Sequence, residues 1–105
     1  MANDDNIGNV DEALLLVSGS KGSKEMDKQY VKKLANAIVK VFDKHDTVKM
    51  RCVGAASLNN AVKAFIIAST EYKKEDGTML LDASFTTVSF QGDEKTAIVL
   101  EVVPE

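Results

Sequence analysis

The stretch Thr47-Val48-Lys49-Met50-Arg51-Cys52-Val53-Gly54-Ala55-Ala56-Ser57-Leu58-Asn59-Asn60-Ala61-Val62-Lys63-Ala64 decides the fold. Its first half alternates: Val48, Met50 and Cys52 fall to one side, Lys49 and Arg51 to the other, which is the period of a strand with one basic face. Gly54 ends that pattern. Beyond it Leu58, Ala61, Val62, Phe65 and Ile66 recur at helical spacing, with Ser57 available as the cap, so a helix is predicted to about Tyr72. Asn59, Asn60 and Lys63 lie on its polar side.

Upstream, Val31, Leu34, Ala35, Ile38 and Phe42 share one face of a helix predicted over Met26 to Lys44, with Lys28, Lys32, Lys33 and Lys40 largely elsewhere. Ahead of it, Ala13-Leu14-Leu15-Leu16-Val17 reads as a buried strand ending in the loop Ser18-Gly19-Ser20-Lys21-Gly22-Ser23-Lys24. Residues 1–12 are polar and aperiodic and read as a disordered tail, which leaves 13–105 as one domain. Downstream, Asp76-Gly77 supplies a turn. Met79, Leu81, Ala83 and Phe85 then hold one parity while Val88 and Phe90 hold the other, a switch that predicts a β-bulge near Thr86-Thr87. Gln91 to Glu94 connects a hairpin, and Thr96 to Val103 closes the sheet. The order is β-α-β-α-β-β, an α+β two-layer sandwich with a four-stranded mixed sheet and both helices on one face.

The chain has 105 residues, 45% hydrophobic and 28% charged, the range of a folded single domain. No apolar run approaches the roughly 20 residues of a bilayer span, and the acidic start lacks a signal peptide's basic region. With the single cysteine, Cys52, this leads to a cytoplasmic expectation. A net charge of −3 argues against bulk electrostatic coating of nucleic acid. Four of the sixteen acidic residues precede residue 13, however, so the body carries thirteen basic and twelve acidic groups, formally +1. Local patches therefore matter more than the total.

Val53 to Ala64, together with Phe85-Thr86, Gly92-Asp93-Glu94-Lys95-Thr96-Ala97-Ile98 and the closing Val102-Val103-Pro104, resembles the stage V sporulation protein S (SpoVS) family. The similarity is good from about residue 47 to 104 and weak before it. The resemblance implies an Alba-like fold, in agreement with the element order read from periodicity. It also implies a small dimerising protein of bacterial development, with nucleic-acid binding inferred from the Alba relationship. By the same resemblance, nucleic acid is gripped by lysines after the first strand, by the start of the second helix and by the terminal hairpin.

The first of these regions corresponds to Lys21 and Lys24. Glycines there allow close backbone approach to phosphates, serine hydroxyls and main-chain N–H groups can donate to them, and the lysines add charge. The competing reading is a solvated, glycine-loosened loop. The second runs from Gly54 to Lys63, where a helix N-terminus favours an anion and Asn59, Asn60 and Lys63 are available. Arg51, with Lys49, extends a basic surface along the strand or is simply exposed. The hairpin tip, with Asp93 and Glu94 against Lys95, is poorly suited to DNA.

No catalytic residue, cofactor or metal site is expected. His45, the only histidine, stands at a helix end where a cation suits the dipole, and Cys52 has the apolar parity of its strand. Met50 and Met79 read as packing. Two functions compete: an Alba-like DNA- or RNA-binding regulator, and a protein-interaction scaffold that has the fold without the grip. Leu14, Leu16, Val99 and Val103 lie on the sheet face without helices, so a homodimer or higher oligomer is expected.

Overall fold

The computed structural model describes residues 8–9, 13–72 and 77–105. Seven elements follow in order: β1 (Gly8–Asn9), β2 (Leu14–Val17), α1 (Lys24–His45), β3 (Val48–Cys52), α2 (Ala55–Tyr72), β4 (Met79–Phe90) and β5 (Asp93–Pro104). The sheet order is β1-β2-β3-β5-β4. Strands β2 and β3 pair in parallel, which requires a crossover, and α1 supplies it. The other pairs are antiparallel. Apart from the two residues of β1, this is the predicted β-α-β-α-β-β order and four-stranded mixed sheet. β1 falls within the segment expected to be a tail; the rest of residues 1–12 lies outside the described residues, as does Asp76 of the expected turn.

Alternation along the strands sends Leu15, Val48, Met50, Cys52, Leu100 and Val102 inward, and all are buried. Helix α1 covers them with Val31, Leu34, Ala35, Ile38 and Phe42, the predicted face, joined by Tyr30 and Val41. Ser23 caps its start by accepting from the Met26 amide at 3.2 Å, and Asp46 closes its end in a left-handed conformation with φ 62°. The Phe42 and Tyr72 rings meet edge to face with centroids 5.2 Å apart. No helix among the described residues is long and apolar enough to cross a membrane.

Three expectations are corrected. Helix α2 buries Ser57, Asn60, Ala61, Ala64 and Ala68, while Val62 and Ile66 are exposed. Small residues let α1 and α2 approach closely, which rotates the buried stripe away from the bulkier side chains. Ser57 is not the cap: α2 begins two residues earlier, and the Ser57 hydroxyl donates back to the Val53 and Gly54 carbonyls at 2.9 and 3.0 Å. Strands β4 and β5 pair without interruption from Met79↔Pro104 to Phe90↔Asp93, so there is no bulge at Thr86-Thr87. The change of parity has another cause. β3 reaches β5 only over residues 98–102, and the far half of the hairpin projects beyond the sheet as a two-stranded arm where no helix dictates an inner face.

Candidate nucleic-acid interface

The loop from Ser18 to Ser23 is tied down rather than loose. The Ser18 amide donates to the Tyr30 hydroxyl at 2.7 Å, and the Lys21 amide donates to Asp27 Oδ1 at 2.6 Å. Gly22 donates to Ser20 Oγ at 3.3 Å, with φ at 109°, a conformation that glycine adopts without strain. These three N–H groups are thus used within the protein, against the expectation that the loop's amides serve an anion. What the loop offers is charge. Lys21 Nζ lies 5.3 Å from the centre of the Tyr30 ring, a cation–π arrangement that keeps the ammonium at the loop. Lys24 belongs not to the loop but to the first turn of α1, directly after the Ser23 cap.

The loop also meets the start of α2. Asn60 is only 6% exposed, and its Nδ2 donates to the Ser18 and Gly19 carbonyls at 3.0 and 3.1 Å. A methyl group on Gly19 would stand 3.2 Å from Ala56 Cβ, closer than ordinary packing. Asn60 is therefore a positioning residue that fastens the loop to α2; Asn59 and Lys63 are the exposed members of the predicted pair of turns.

Between α1 and α2 lies an open groove of about 710 Å³. One bank carries Lys24, Lys28 and Lys32, the other Asn59 and Lys63, and Val31, Ile66 and Ile67 contribute apolar lining. Among the described residues Asp27 is the one acidic side chain in this lining. Lysines spaced by four residues stand about 6 Å apart along one side of a helix, so the α1 bank is a cationic row. Four of the six predicted site residues, Lys24, Asn59, Asn60 and Lys63, line this groove. Lys21 stands in the adjoining loop. Arg51 is separated from them: it sits on β3 opposite Leu16 and Val99, on the sheet face away from the helices, with Lys49 beside Glu101.

Lys28 and Lys32 were missed by sequence reasoning, which grouped them only as the polar side of α1. The four-residue spacing from Lys24 was a usable signal. The sequence showed no reason for that side to face α2. The acidic hairpin tip is remote in the ladder from this groove; Gln91 and Gly92 form its two-residue turn with φ of 50° and 84°, and Asp93 already belongs to β5. Cys52 is a free, buried thiol whose pKa burial pushes up to about 11, so it holds its proton at neutral pH. His45 lies in the last turn of α1 with Lys44.

A family model described as stage V sporulation protein S (SpoVS) matches residues 26–105. The match takes in α1 from Met26 onward as well as the region of sequence similarity from residue 47, and it starts after Lys21 and Lys24. A match over this much of the chain, on a structure with the element order that the resemblance implied, shows that the chain belongs to the stage V sporulation protein S family.

Proposed function

We propose that this sporulation-related protein is a dimeric regulator that binds nucleic acid in the groove between α1 and α2. The observation that carries the reading is the convergence of Lys24, Lys28, Lys32 and Lys63 on one groove in a body whose overall charge is close to neutral. Such a concentration of cations is what a phosphate backbone requires. The Asn60 tie supports it by holding the Lys21 loop beside the same groove. The row of charges positions a backbone, and among the described lining residues Asn59 is the one exposed amide, so binding without strong sequence preference is the expected behaviour.

Titration of the full chain against labelled single- and double-stranded RNA and DNA at several salt concentrations tests this. Four neutralised phosphates give a slope of log K against log salt of about −3 for single strands. Lys28→Ala and Lys32→Ala should each weaken binding on all sequences and reduce the slope by about one. Absence of binding at low salt to any of the four nucleic acids would reject the reading. The protein-interaction alternative is favoured by one observation, the exposed Phe85 on the edge strand β4 of the hairpin whose tip carries Asp93 and Glu94. Protein partners captured independently of nuclease treatment, with no oligonucleotide bound, would select it.

A further inference from the structure

The groove between α1 and α2 holds more than charge. Val31 of α1 and Ile66 and Ile67 of α2 give it an apolar floor. Ile66 is 55% exposed, second only to Phe85 among the large hydrophobic residues described. Ile66 and Ile67 follow Lys63 by the same steps as Val31 and Lys32 follow Lys28, and residues so spaced share one side of a helix. Each bank thus sets an apolar side chain beside a cation. The lysine stems, methylene chains with the charge at the tip, widen the apolar strip.

A row of lysines suits any polyanion and does not account for an isoleucine left open among them. A surface isoleucine is ordinary by itself. In a binding groove it matters, because a ligand that covers apolar area gains more than one that leaves it wet. Duplex and single strand differ on this point. A duplex keeps its bases paired and stacked, with their edges at the bottom of grooves about 8 Å deep. A single strand can lay the face of an unpaired base on a side chain. Size separates them as well. The groove, at about 710 Å³, is within the roughly 300–1,000 Å³ of sites that enclose a small molecule, so part of one strand can enter it while a duplex can only rest on its rims.

We propose that the groove selects unpaired nucleic acid, with phosphates along Lys24, Lys28 and Lys32 and a base turned inward, its face against Ile66 and the stem of Lys63. Every base has such a face, so the contact discriminates between strand states and not between sequences. This inference rests on the nucleic-acid reading above and names the class of ligand within it.

Fluorescence anisotropy on the full chain with three labelled probes of equal length tests it: a single strand, the same strand paired with its complement, and a strand whose sugars carry no bases. At about 0.1 M salt, where charges more than about 10 Å apart are screened, the single strand should bind at least about tenfold tighter than either of the others. Ile66→Gln, at an exposed position, should weaken the single strand about fivefold while leaving the other two probes and the salt slope unchanged, whereas Lys28→Ala should weaken all three. Absence of binding by every probe, at low salt too, overturns this inference together with the nucleic-acid reading. A duplex or a base-free strand bound as tightly as the single strand overturns the inference alone, as does a folded Ile66→Gln protein that binds the single strand like wild type. If Ile66→Gln does not fold, the base-free strand decides on the wild-type protein: a tenfold loss supports the base contact, and equal binding overturns it.

Discussion

Asn60 is the residue on which the geometry of the groove depends. It is buried, and its amide spans from α2 to two carbonyls of the loop after β2. Asn60→Ala leaves the Ser18 and Gly19 carbonyls without that donor, which should cost about 1–3 kcal/mol of stability in urea unfolding. Asn60→Asp should cost more, since a carboxylate would face two carbonyl oxygens; equal stability of either variant and wild type would contradict the role. Cys52 gives a second expectation at this scale. Its thiol stays protonated in the fold up to about pH 11, while in the unfolded chain it ionises near the ordinary cysteine value, about 8.5. Between these values the unfolded chain holds fewer protons than the folded one, so stability falls as pH rises. By pH 10 the wild type should have lost about 2 kcal/mol more than Cys52→Val relative to pH 7. Denaturant melts at both pH values, showing no such difference, would refute it.

At the scale of elements, the hairpin turn is the most demanding conformation. Gln91 and Gly92 both have positive φ, the condition of the turn that matches the twist of paired strands. Gly92→Val should therefore cost about 1–3 kcal/mol in thermal unfolding, and Gln91→Asn should raise the melting temperature slightly, because asparagine tolerates that region better. A neutral Gly92→Val would show that the arm does not need this turn. The strands and α1 were legible in the sequence because one face of each is buried by apolar side chains alone. Helix α2 was legible as a helix but not in its rotation. Its contact with α1 is made by Ala61, Ala64 and Ala68 and by two buried polar residues, and a hydrophobic pattern gives more weight to Val62 and Ile66. The parity switch after Phe85 misled for a related reason: alternation reports a buried face, and the arm has left the helices behind. Lys28 and Lys32 were readable as a row, yet facing α2 is a property of how two helices pack, which neither helix encodes by itself.

For the whole molecule, charge is sorted by location more than by amount. A chain of net charge −3 places four lysines along one groove on the helix side and puts Asp93 and Glu94 at the far end of the arm. Arg51 and Lys49 lie on the opposite face of the sheet and are not expected to contribute to that groove. This sorting makes the location of binding a sharper test than its existence. The decisive measurement is a nuclear magnetic resonance titration of isotope-labelled protein with a short oligonucleotide at low salt. Amide shifts should concentrate in Ser20 to Lys32 and Ala55 to Lys63 and fade as salt is raised. Shifts confined to Asp93 to Lys95 or to β3, or none at saturating oligonucleotide, would contradict a polyanion site between α1 and α2.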